Sequence, residues 1–127
     1  MKRALAARTV YAVFGALALT FGAAAILHPA LALPPDGVSP LTAHLVREQG
    51  AQGVFLGLMA IWCLLHFEER RAVHYALLVF AALFSAVHWL EYVEARRTLV
   101  SPLINSIPLI ALALVTPGPA RRSEKNA

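Results

Sequence analysis

Four apolar runs separated by short polar breaks dominate the chain, at about Thr9–His28, Gly50–His66, Ala72–Tyr92 and Thr98–Thr116. A helix needs on the order of 20 mostly apolar residues to cross the ~30 Å hydrocarbon core of a bilayer. The pattern predicts an all-α, four-transmembrane-helix antiparallel bundle forming a single membrane domain over residues 1–127. The breaks Phe67–Arg71 and Val93–Arg97 are tight, so the last three helices are expected to pack as antiparallel neighbours. The long break, Pro29 to Gln49, carries the turn signal Pro34-Pro35-Asp36-Gly37, with glycine available for a positive φ. Ser39 or Thr42 is placed to cap a short external amphipathic helical turn that runs into the second span. Pro117-Gly118-Pro119 stops the last helix, and a disordered tail is expected over about 120–127.

Composition supports a membrane class. The 127 residues are 59% hydrophobic and 14% charged, against roughly 25% charged in soluble domains. The net charge of +4 is not a nucleic-acid signal here, because the basic residues flank the spans, where they read as orientation and headgroup charges. With the N-terminus cytoplasmic, that side holds Lys2, Arg3, Arg8, Arg70, Arg71, Arg121, Arg122 and Lys125. The other side holds only Arg47, Arg96 and Arg97. The excess predicts both termini cytoplasmic. Trp89 and Tyr92 fit an outer aromatic belt, Tyr11 and Tyr75 an inner one. Met1–Arg8 and the Ala30-Leu31-Ala32 site resemble parts of a cleavable signal, yet the run to Leu27 exceeds the usual 7–15-residue apolar region, so a retained helix is expected. Cys63, alone in the sequence, forms neither a disulfide nor a CxxC pair and reads as a small buried apolar residue.

Small residues mark packing faces. Gly15, Ala18, Gly22 and Ala25 form one stripe, and Gly50, Gly53, Gly57 and Ala60 another; such faces let helix backbones approach closely. The stripes join the first two helices to each other, or two copies of the chain.

The candidate chemistry lies in the outer half of the bilayer. Glu48 and Gln52 open the second helix, and His88 and Glu91 share a face of the third. Asn105 sits in the fourth helix between Pro102 and Pro108. Together these five residues are the candidate ligand-binding set, for a lipophilic molecule such as a quinone or lipid; in the bland alternative they are interface charges and a cross-helix hydrogen bond. A remoter alternative is a bis-histidine haem protein, pairing His28 with His88 and His66 with His74. No metal site is predicted, nor any catalytic residue: the phosphate-binding, hydrolase and zincin motifs are absent. Small multidrug transporters share the size and span number but carry a central acidic residue in the first helix; Thr9–His28 has none.

In size, span number, short later loops and a glycine-rich second helix entered through Arg47-Glu48-Gln49-Gly50-Ala51-Gln52-Gly53, the chain resembles the small four-helix bacterial inner-membrane proteins of the DoxX-like kind. The resemblance implies association with redox or stress-related partners and transfers no catalytic residue. The expected function is an accessory or interaction subunit of a larger membrane complex rather than a self-sufficient enzyme. Its expected partners are membrane lipids, other membrane subunits or a second copy through the Gly/Ala faces, and no cofactor is expected. Convergence of the five outer residues on one cavity favours the pocket; separation favours the subunit.

Overall fold

The computed structural model describes residues 2–95 and 98–118 and is all-helical. Four α-helices follow in order: α1 (Lys2–Leu27), α2 (Pro40–Leu65), α3 (Arg71–Ala95) and α4 (Val100–Leu114), with two 3₁₀ turns, Pro29–Ala32 and Pro35–Gly37, between the first two. Helices α1, α2 and α3 are long and apolar enough to cross a membrane; α4 is apolar but has 15 residues, about 22 Å. The expected tail over 120–127 and five of the basic residues used for orientation, Arg96, Arg97, Arg121, Arg122 and Lys125, lie outside the described residues.

The helices outrun or undershoot their apolar stretches for local reasons. Helix α1 begins at Lys2 rather than Thr9, because Lys2–Arg8 is built of good helix formers and needs no apolar character to continue the hydrogen-bond ladder. Helix α2 starts at Pro40, so the amphipathic turn expected to run into the second span forms the first turns of that helix. Ser39 is its N-cap. The Ser39 hydroxyl accepts from the Thr42 amide at 3.1 Å, and Thr42 Oγ1 accepts from the Ser39 amide at 2.8 Å, a reciprocal capping box with proline at the first helical position. Helix α4 tolerates Pro102 because first-turn amides have no intrahelical acceptor. It ends at Leu114, shortly before Pro117, which disfavours helical backbone at Thr116. Gly37 closes its turn through a 2.9 Å bond to the Pro34 carbonyl, without the positive φ expected of it. Replacing Ser39 by alanine is expected to cost about 1 kcal/mol of local stability, read as roughly fivefold faster hydrogen exchange at the Thr42 amide.

The start of α1, the end of α2, the start of α3 and the end of α4 share one end of the bundle, here termed the proximal end; the other is the distal end. Packing is closest within two pairs, α1 with α2 and α3 with α4. The two small-residue stripes face each other. A Cβ added at Gly22 would stand 2.7 Å from both the Gly50 carbonyl oxygen and the Val54 amide nitrogen, and one added at Gly57 would stand 2.9 Å from the Leu19 nitrogen. Backbone meets backbone there, so dispersion operates at a distance any side chain would forbid. The pairs join through a core in the proximal half: Ala7 and Tyr11 of α1, Ala60 and Cys63 of α2, Phe67, Leu77 and Ala81 of α3 and the turn before it, and Leu112 and Val115 at the end of α4.

Candidate functional site

Buried polar groups concentrate in that proximal core. Tyr11 and His74 are both fully buried, although they lie 63 positions apart in sequence. Tyr11 shares a helix face with Gly15 and Gly22, so the close α1–α2 contact draws it inward. His74 begins the second turn of α3 and points back at it. The Tyr11 hydroxyl stands 2.7 Å from His74 Nδ1, and His74 Nε2 stands 3.3 Å from Thr116 Oγ1, just beyond α4. Thr116 Oγ1 in turn reaches the Leu112 carbonyl at 3.3 Å. One tautomer satisfies every group: Tyr11 donates to Nδ1, Nε2–H donates to Thr116, and Thr116 donates to Leu112. The opposite tautomer leaves the Tyr11 proton without an acceptor, so neutral His74 protonated on Nε2 is assigned.

Around this chain sit Cys63 and Arg70. Cys63 is fully buried, and its thiol points at the Arg70 carbonyl at 4.0 Å. The Arg70 guanidinium donates to the Phe67 carbonyl, and its charge acts on Tyr11, Cys63 and His74 together. All four helices, or the residues adjoining them, therefore contribute to one buried polar cluster. A cavity of about 260 Å³ forms an apolar groove between α1 and α4, lined by Val10, Val13, Phe14, Leu17 and Thr9 on one side and Ile107, Pro108, Ala111 and Leu112 on the other. Tyr11 and His74 are not among its lining residues. The arrangement ties α1, α3 and the end of α4 together through buried hydrogen bonds.

The outer candidate residues divide into two groups at the distal end. His88 Nδ1 lies 3.6 Å from a Glu91 carboxylate oxygen and 3.4 Å from Ser101 Oγ on α4, and the Asn105 amide donates to the Ser101 carbonyl at 2.9 Å. His88, Glu91 and Asn105 thus gather around Ser101. Glu48 instead pairs with His44 one turn earlier at 3.2 Å, and Gln52 lies exposed on α2. No hydrogen bond ties Glu48 or Gln52 to α3 or α4 among the described residues, and none of the five lines the groove. The cross-helix bond expected of Asn105 is made by serines: Ser85 Oγ meets Ser106 Oγ at 2.7 Å, and Trp89 Nε1 donates to Ser106 Oγ at 3.1 Å. Asn105 is spaced from Ser101 by one helical turn, so its amide folds back onto its own backbone.

The histidines named for haem are otherwise engaged or isolated. Both ring nitrogens of His74 have partners, so a metal would have to break a hydrogen bond of the core. His66 stacks on Trp62 with ring centroids 4.7 Å apart, and His28 is exposed at the end of α1. No cluster of three or more His, Cys, Asp or Glu that could hold a metal occurs among the described residues. Tyr11 is corrected outright: it is not a belt residue at the lipid interface but the hydrogen-bond donor of the core. Tyr75, by contrast, is exposed. The sequence did hold the signal, since Tyr11 falls on the same face as Gly15 and Gly22, four and eleven positions on.

Comparison of the chain with family models, curated proteins and solved structures found no match.

Proposed function

We propose that this chain is a small multi-pass protein of a bacterial inner membrane, with both termini cytoplasmic, and that it serves as an accessory subunit docking into a larger membrane complex. The observation that carries the reading is the division of polarity. Buried polar side chains bond to one another in the proximal core, none of the five outer polar residues lines the groove between α1 and α4, and large apolar side chains are presented outward. On α4 the exposed set is Val100, Leu103, Ile104, Ile107, Ile110 and Leu114. A 15-residue apolar helix is shorter than the hydrocarbon core, and such a mismatch is relieved by local thinning of the bilayer, by snorkelling of flanking residues or by oligomerisation. A ligand pocket is the weaker reading, because the groove holds about 260 Å³ where sites for small molecules typically hold ~300–1,000 Å³ with convergent polar groups. The loops support the orientation through their basic residues, and the packing of Gly15, Gly22 and Tyr11 supports retention of α1 as a helix. The DoxX-like resemblance agrees with an accessory role.

Two labelling experiments test this. A cysteine at Val38 is expected to react with an impermeant maleimide in intact cells and one at Glu68 only after permeabilisation, with buried Cys63 silent in both. The reverse pattern ends the orientation. A photocrosslinker at Ile104 or Ile110, at native expression level, is expected to yield one discrete protein adduct. Adducts with lipid alone would remove the subunit reading.

A further inference from the structure

Arg8 of α1 and Arg70 of the α2–α3 turn converge on a single aromatic ring at the proximal end. The guanidinium carbon of Arg70 lies 3.6 Å from the Phe67 ring centroid and that of Arg8 4.6 Å from the same centroid. The two charges are therefore no more than 8.2 Å apart, the sum of those distances. The buried Phe67 ring attracts each of them, but they repel one another. Neither arginine has an ion-pair partner among the described residues. The ion pairs among the described residues, His44–Glu48 and His88–Glu91, are both at or near the distal end. Glu68 and Glu69 adjoin Arg70 in sequence yet stay exposed and pair with neither arginine. Arg70 Nε is moreover buried without a hydrogen-bond partner, although a buried polar atom normally has one.

Two guanidiniums gathered at one ring, with no ion-pair partner among the described residues, suit the oxygens of a phosphate group, which accept hydrogen bonds from several donors at once. Exposed Leu5 lies three positions before Arg8 on the same side of α1, so apolar surface adjoins the charges. A phosphate esterified to acyl chains would satisfy both surfaces together. We propose that Arg8 and Arg70, with Phe67 as a floor, form a binding site for the phosphate of an anionic phospholipid. The site rests on the reading of the chain as membrane-embedded, but not on which end faces the cytoplasm or on any protein partner.

The test is native mass spectrometry of the full chain in a neutral detergent, offered phosphatidylglycerol, phosphatidylcholine or inorganic phosphate separately. Wild-type protein is expected to retain one phosphatidylglycerol in preference to phosphatidylcholine. Arg8→Gln and Arg70→Gln are each expected to reduce that preference roughly fivefold, in line with the attraction of one basic side chain for an anionic lipid surface. Arg47→Gln at the distal end is expected to leave it intact. The exposed Arg8 carries the test if Arg70→Gln fails to fold. Equal retention of the two lipids, or a preference unchanged in Arg8→Gln, overturns the site. Retention of inorganic phosphate as strongly as of phosphatidylglycerol at equal concentration overturns the lipid as its ligand. Failure of the membrane reading is separately visible, as a chain that stays in solution without detergent.

Discussion

Gly22→Leu is expected to undock α1 from α2 and open the proximal core, the largest effect expected of a single substitution in this chain. At this position even the first added carbon meets backbone on the partner helix, 2.7 Å from the Gly50 oxygen and 2.7 Å from the Val54 nitrogen. A flexible side chain would yield to such a contact, but two helix backbones must separate. Overpacking typically costs about 1–3 kcal/mol; four carbons against rigid backbone put the cost at the upper end of that range or above it. Cys63 is a built-in reporter, because it is the only cysteine and is fully buried in the core that holds Tyr11 and Ala7. Labelling of Cys63 by a thiol reagent in detergent is expected to accelerate on the order of 100-fold, since every 1.4 kcal/mol is a factor of ten. Gly53→Ala is the matched control: its Cβ would first meet Gly22 Cα at 3.3 Å, and the gain of about 1 kcal/mol in helix propensity offsets the tighter contact. Wild-type labelling in Gly22→Leu would mean that the two stripes do not form the interface on which the fold depends.

The same stripes show how far the fold is legible in the sequence. Hydropathy locates all four helices, because each apolar run has to be buried or face lipid. Glycine spacing marks the faces of α1 and α2, because a 3.6-residue repeat leaves small residues on one side. Hydropathy does not place helix ends, which depend on capping and on Pro102 and Pro117 rather than on apolar content. Nor does it choose between a stripe meeting its neighbour and a stripe meeting a second copy, since the same small residues serve both. Depth counted from the ends of the spans puts Glu48, Gln52, His88, Glu91 and Asn105 at one level. Depth says nothing of azimuth, however, and Glu48 and Gln52 remain apart from the group around Ser101. The Tyr11–His74 contact escapes a sequence reading because the interfacial preference of tyrosine outweighs its position on the glycine face. The partner of an aromatic hydroxyl 63 positions away follows from how the helix pairs dock, which no local pattern encodes.

Tyr11→Phe tests that docking. It keeps the ring and its packing but leaves His74 Nδ1 without a donor in a fully buried site. An orphaned buried acceptor costs about 1–3 kcal/mol, whereas hydrogen bonds between membrane helices average ~0.6 kcal/mol because the separated helices find other partners. The Tyr11–His74 contact is short, at 2.7 Å, and fully buried, so a loss of about 1–2 kcal/mol is expected, accelerating Cys63 labelling roughly 5–30-fold. His74→Leu is expected to cost a similar amount by orphaning the Tyr11 hydroxyl. Tyr11→Phe with His74→Leu removes both polar groups and should cost less than the sum of the singles, with a coupling of about 1 kcal/mol. Thr116→Val is the contrasting case. Its contact with Nε2 is longer, at 3.3 Å, and Thr116 is only partly buried at the proximal rim, where water can replace the hydroxyl. Its cost should therefore be less than half that of Tyr11→Phe. Coupling near zero in the Tyr11–His74 cycle would mean that the pair is adjacent but does not hold the helices together, and the buried imidazole would then need a role other than structure.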